Sequence, residues 1–245
     1  MSKVILVGVG GPTCSGKTTL SKHLRRILPN SVIIHQDDFA PPEDKLPLHP
    51  VHNVRDWDAA PGAIDWPRLT KFLKAVKQDG KIPPGHISHD HLNEQKDAPI
   101  PDDVFERLHA EFKHITEEKE KLGEKIIWGI LDGFLLYWHQ EVIDELDARI
   151  FLRVPHDVLK KRREERQIYF TAESASEGTM WKDPPQYWEH IVYPAYVDAH
   201  APMFENGDVE NGNYVDGTVR GLVVLDGNMT MEEMVERSCE VLKGM

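Results

Sequence analysis

The chain has 245 residues, 40% of them hydrophobic and 29% charged, with a formal net charge of -12. That length suits one sizeable α/β domain, and the acidic balance argues against general nucleic-acid binding, which needs a basic surface. No apolar stretch approaches the roughly 18 residues of a membrane span, and the two cysteines, Cys14 and Cys239, offer neither a disulfide framework nor a CxxC metal signature.

In chain order, the apolar run Val4–Val9 reads as a buried first strand. It leads into a Gly-rich loop rather than a signal-peptide cleavage site, so a cytoplasmic location, with the nucleus also open, is expected. Leu20, Leu24, Ile27 and Leu28 recur at helical spacing and predict a helix over Lys17–Leu28. A second strand, Val32–His35, ends in the paired carboxylates Asp37 and Asp38, where ligands of open α/β sheets bind. Pro41–Pro61 reads as a long loop and Asp65–Gln78 and Asp102–Lys121 as amphipathic helices. A third strand, Ile126–Leu131, delivers Asp132 and Gly133, and a fourth spans Arg149–Val154. The basic helix Pro155–Arg166 leads to a Ser/Glu/Gly-rich stretch, Thr171–Thr179, expected to be a flexible loop or lid. Pro185–Phe204 reads as a helix, "GLVVLDG" as a fifth strand and Met231–Leu242 as a terminal helix. Strands alternating with helices predict a mostly parallel five-stranded sheet covered on both faces.

Gly11-x4-Gly16-Lys17-Thr18 matches the Walker A pattern in full, with a strand before it and a helix after it. In that motif the backbone N–H groups of Gly11, Pro12, Thr13, Cys14, Ser15, Gly16 and Thr19 positions, proline excepted, converge on phosphate oxygens. Lys17 reaches the outer phosphates and Thr18 offers its hydroxyl to Mg²⁺. Asp132, ending an apolar strand, fits the metal-holding carboxylate of a P-loop NTPase fold; a turn or capping aspartate beside Gly133 is the competing reading. Neither the DxxG nor the NKxD motif of GTPases occurs, so a phosphoryl transfer to a small hydroxyl acceptor is favoured.

Taken together, "GPTCSGKTT", "IIHQDDF", "RDWD", "LDGF" and "KKRREER...Y" followed by "DPPQYW" resemble the nicotinamide riboside kinases, relatives of the uridine kinases. The longer form is similar to the fungal branch. The resemblance implies a single kinase domain over residues 1–245, with an insert at about 80–125 and a lid at about 167–183. ATP is the implied co-substrate and Mg²⁺ the cofactor. The activity implied is phosphorylation of the 5′-hydroxyl of nicotinamide riboside, or of nicotinic acid riboside, for NAD synthesis. A uridine/cytidine kinase and a non-catalytic ATP-binding switch are the alternatives. By the same resemblance Asp37 is the base at the 5′-hydroxyl, Asp58 and Arg163 hold the ribose, and Trp57 and Tyr169 sandwich the base. Asp183 lies near that base, Arg166 neutralises the migrating phosphoryl group and Arg162 joins the ATP-binding set. Asp38 is equally well read as a capping or structural residue. Asp132 replaces the glutamate often found there, which points to a water-mediated metal contact. A monomer or weak homo-oligomer with small-molecule partners, no nucleic acid and no membrane is expected. "HISHDH", His86–His91, reads as surface of the insert rather than a metal site, lacking partnered cysteines or helical HExxH geometry.

Overall fold

The computed structural model describes residues 2–88, 90, 97–166, 169–171 and 179–245, with the backbone alone for 169–171 and 179–181. Five parallel strands form the main sheet: β1 (Ser2–Gly10), β2 (Ser31–His35), β3 (Lys125–Gly133), β4 (Ala148–Arg153) and, near the C-terminus, β7 (Leu222–Asp226). Their order is β2-β3-β1-β4-β7. The chain therefore builds outward first to one side of β1 and then to the other, leaving the crevice for ligands at the carboxyl ends around β1.

The period of two along each strand divides its side chains between two cores. Val4 and Leu6 of β1, Leu131 of β3 and Phe151 of β4 enter one cluster. It is closed by α3 (Trp66–Asp79), α5 (Gln140–Glu145) and α7 (Tyr193–His200) through Leu69, Phe72, Leu73, Val142, Ile143 and Tyr196. Ile5, Val7, Val9, Trp128, Ile130 and Ile150 enter the other. That face is covered by α1 (Lys17–Ile27), α4 (Asp102–Lys121) and α8 (Met231–Lys243), with Leu20, Leu24, Leu108, Phe112 and Val235 fully buried or nearly so. Such two-sided burial is why the strands read as continuous apolar runs. It also divides the segment expected as an insert: α4 is a core helix, whereas His86 and Asp90 before it lie beside Asp38 and His35.

The remaining elements refine the sequence reading. Glu43–Lys45 form a 3₁₀ turn, Leu48 bridges Arg55, and α2 (Ala60–Ala63) begins inside the stretch predicted as loop. The six-residue α5 was not predicted; it is too short to display a helical period. The basic helix is α6 (His156–Glu165). β5 (Tyr169–Thr171) and β6 (Thr179–Trp181) pair antiparallel at the two ends of the expected lid loop, and residues 167, 168 and 172–178 of that lid lie outside the described residues. The helix predicted from Pro185 instead starts with a π turn, Trp188–Val192, and continues as α7; Gln186 at φ 63° interrupts the backbone before it.

Candidate active site

The loop between β1 and α1 holds its shape through unusual backbone. Gly11 has φ 145°, and a Cβ there would stand 2.6 Å from the Leu152 carbonyl oxygen, so only glycine fits. Cys14 at φ 62° and Gly16 at φ 98° turn the chain into α1. No side chain caps α1, so its first N–H groups and dipole face the loop's concavity, an arrangement suited to phosphate. Arg162 of α6 donates to the Cys14 carbonyl at 3.1 Å and Arg163 donates to the Thr13 hydroxyl, also at 3.1 Å. Lys17 lies 3.4 Å from the Pro12 carbonyl oxygen.

Asp132 sits beside this loop because β3 pairs with β1 in a register that sets it opposite Val9. Its Oδ2 lies 3.2 Å from Nδ1 of His35, which is its register partner on β2. Burial alone would raise its pKa, but the His35 hydrogen bond, Lys17 and the Thr18 hydroxyl hold it below the usual carboxylate range. The other oxygen, Oδ1, is buried with no hydrogen-bond partner among the described residues. An ionised carboxylate with one orphaned oxygen next to a threonine hydroxyl suits a hard divalent cation. No group of three or more His, Cys, Asp or Glu among the described residues could hold a metal alone. This donor set therefore fits Mg²⁺, which takes few protein ligands and completes its shell with phosphate oxygens and water.

The turn Gln36–Phe39 carries Asp37 and Asp38. Gln36 is fully buried and its Oε1 accepts the Leu135 N–H at 2.9 Å, tying the end of β2 to the end of β3. A Cβ on Gly133 would stand 2.5 Å from Gln36, so glycine permits this approach. Asp37 keeps an exposed face on the crevice. The protein around it nonetheless raises its pKa by desolvation, opposed by Lys17 and reinforced by Asp132 and Asp38.

A second carboxylate corner forms across the crevice. Asp56, buried, accepts the N–H groups of Asp58 (3.0 Å) and Ala59 (2.8 Å), which fixes the turn carrying Trp57 and Asp58. Burial raises the pKa of Asp58 to about 6; Arg163 opposes the rise, and Asp56 and Asp183 add to it. Arg163 forms a bidentate pair with Asp183, at 2.7 and 2.8 Å. Both were expected to face ligand; the structure brings them together and lets Arg163 connect Thr13 with the Asp58 corner. A small cavity beside them is lined by Pro12, Thr13, Asp58, Phe134, Leu135, Trp188, Val192 and Tyr196.

Among the remaining expected residues, Trp57 is half-buried, its N–H 3.4 Å from the Tyr187 hydroxyl. Arg166 closes the end of α6, its N–H donating to the Arg163 carbonyl. Tyr169 falls in β5 and its side chain lies outside the described residues. Sequence reasoning passed over His35, Gln36, Asp56 and Tyr187. Each adjoins a quoted motif, but the partner that gives it a role is distant in the chain. It also set "HISHDH" on the surface; His86 instead packs inward, and His89 and His91 lie outside the described residues. No helix among the described residues is long and apolar enough to cross a membrane.

No family model matches the chain. It is 34% identical over 209 residues to the nicotinamide riboside kinase of Saccharomyces cerevisiae, covering 85% of this chain and 82% of that one. It is 32% identical over 218 residues to that of Schizosaccharomyces pombe, covering 89% and 88%. The human nicotinamide riboside kinase 2 is 29% identical over 236 residues, covering 96% and 80%. Among solved structures, a sugar kinase from Janibacter sp. HTCC2649 aligns over 99% of this chain and 95% of its own, at 14% identity and a TM-score of 0.48. With an α/β sheet ending in a Walker A loop, two carboxylate corners facing that loop, and identity of this extent to the yeast enzymes, the chain belongs to the nicotinamide riboside kinases.

Proposed function

We propose that this chain is one kinase domain that transfers the γ-phosphoryl group of ATP to the 5′-hydroxyl of nicotinamide riboside, with nicotinic acid riboside as a second acceptor. The observation that carries this reading is the placement of Asp58, Arg163 and Asp183 directly beside the loop residue Thr13. A phosphate cradle alone serves any nucleotide hydrolase, whereas carboxylates set close beside it suit a polyhydroxylated acceptor.

In this mechanism the backbone N–H groups of Gly11 and of Thr13 to Thr19, with the Lys17 ammonium, hold the donor phosphates. Thr18 and Asp132 would hold Mg²⁺, which supplies charge neutralisation at the phosphates when bound. Asp37 orients the acceptor hydroxyl and takes its proton as transfer proceeds. Asp58 accepts hydrogen bonds from the ribose hydroxyls, with Arg163 setting its charge environment. Trp57 and Tyr169 flank the ring, where a pyridinium gains cation–π attraction of roughly 0.5–2 kcal/mol that uracil lacks. Asp183 adds negative charge near that cation. Arg162 anchors the loop, and Arg166 approaches the phosphoryl group from the lid.

ADP release measured with nicotinamide riboside, with uridine and without acceptor tests the reading. Turnover with the nicotinamide substrate well above the other two is expected. A preference for uridine overturns the substrate assignment, and equal background rates in all three overturn the kinase itself in favour of a nucleotide-binding switch.

A further inference from the structure

His86 and Asp90, which follow α3 in the chain, have no part in the mechanism above, yet they lie against Asp38 and His35. The connection from α3 to α4 begins with Ile82 packed on the core of one sheet face and finishes with Ile100 buried in the other. Near its end, the Ala98 carbonyl oxygen lies 2.9 Å from Nε2 of His23 on α1.

His86 lies with its Nε2 3.4 Å from Oδ2 of Asp38. Only 3% of the Asp38 side chain and 16% of that of His86 is exposed, so the contact is shielded from bulk water. The His86 ring stacks on Phe39 at 5.5 Å and tilts against Phe72 at 4.6 Å, while Phe39 and Phe72 meet edge to face at 5.0 Å. The imidazole thus packs on the aromatic base of the Gln36–Phe39 turn and sets one ring nitrogen against its carboxylate. Arg68 of α3 holds the same turn from another side, donating to the Asp38 carbonyl at 2.9 Å.

Asp90 lies 3.7 Å from Nε2 of His35 and 2.9 Å from Nζ of Lys22 on α1. Since the other nitrogen of His35 faces Asp132, one imidazole is held between a carboxylate from this segment and the carboxylate at the end of β3. The 3.2 Å hydrogen bond to Asp132 orients the ring, and Asp90, at 3.7 Å, places a second negative charge at its far nitrogen.

We propose that His86 and Asp90 are positioning residues for the reaction: His86 sets the Asp37–Asp38 turn, and Asp90, through His35, sets Asp132. This inference rests on the kinase reading for its effect on turnover, while the local rigidity it requires exists without substrate. Loss of an outer contact of this kind lowers activity by about 10- to 100-fold.

The test compares His86→Ala, His86→Gln, Asp90→Ala and Asp90→Asn with the unaltered protein. His86→Ala and Asp90→Ala should lower kcat for nicotinamide riboside about tenfold, with KM for both substrates changed less than about threefold. His86→Gln and Asp90→Asn, which keep a polar side chain of similar size in each place, should recover part of the loss. Amide hydrogen exchange of the unliganded proteins should quicken at residues 35–40 in His86→Ala and stay unchanged in β1 and β4. Unaltered kcat in both alanine variants overturns the proposal, as does exchange that quickens throughout the sheet. If His86→Ala does not fold, Asp90→Ala against Asp90→Asn decides in the same way. Absence of turnover in the unaltered protein refutes the kinase reading instead, and the exchange comparison still reports on the positioning role.

Discussion

The loop side and the carboxylate side of the crevice are built in opposite ways. The loop draws the groups suited to phosphate from one run of sequence, Gly10–Thr19, held by three positive-φ residues and the uncapped start of α1. The facing side draws Asp37 from the end of β2, Asp58 from the turn before α2, Arg163 from α6 and Asp183 from beyond β6. A contiguous device carries its geometry in local backbone, so substitutions in it should damage every reaction of the site. A device assembled from distant segments relies on tertiary contacts, so its substitutions should separate acceptor handling from nucleotide handling.

The largest effect expected is on the loop side. Lys17→Ala should lower kcat/KM by about 10³-fold or more, whichever acceptor is supplied, in an ADP-release assay. Asp37→Asn should lower kcat by about 10²- to 10⁴-fold while calorimetric binding of an ATP analogue is preserved. Weakened nucleotide binding in that variant would break the division drawn here.

Asp58→Asn sharpens it further. KM for nicotinamide riboside should rise about tenfold or more with KM for ATP nearly unchanged, because hydrogen bonds to a charged acceptor contribute about 1.5–3 kcal/mol. With the Asp58 pKa at about 6, kcat/KM for the riboside should climb as pH rises through that value, and the variant should lose this limb. Stability runs the other way. A carboxylate whose folded pKa is raised binds protons more tightly in the native state, so its contribution falls as pH rises from the unfolded value toward 6. Asp58→Asn should therefore melt above the unaltered protein at pH 7, and the difference should shrink toward pH 4.

In stability, Gly133→Ala should cost about 1–3 kcal/mol, because the new methyl meets Gln36 and Leu136. Urea denaturation measures this. The smallest effect is expected at the capping box of α8, where Thr230 and Glu233 satisfy each other's N–H groups. Thr230→Ala should remove about 1 kcal/mol and lower Tm by about 2–4 °C.

The same contrast explains how far the residues could be read in order. The loop, the five strands and the long helices announce themselves through spacing, because their roles follow from neighbours in the chain. α5 is too short to show a period. His35 lies in an apolar strand and gains meaning only from the β2–β3 register that sets it opposite Asp132. The pairing of Arg163 with Asp183 spans 20 residues and the lid, so no local pattern encodes it. His86 looked solvent-facing among polar neighbours, and its contact with Phe39 and Phe72 exists only once α3 has folded against the turn.

The tie between Gln36 and Leu135 has a consequence for retargeting this enzyme. Because it joins two strand ends through a buried amide, the span between Asp37 and Asp132 is set before any ligand arrives. On the proposed reading, acceptor preference would be redesigned at the Asp56–Asp58 turn and in the cavity lined by Phe134, Trp188 and Tyr196, leaving that span as a fixed gauge. A library that randomised residues 36–38 would instead recalibrate the reaction coordinate with every variant, and would confuse lost recognition with lost alignment.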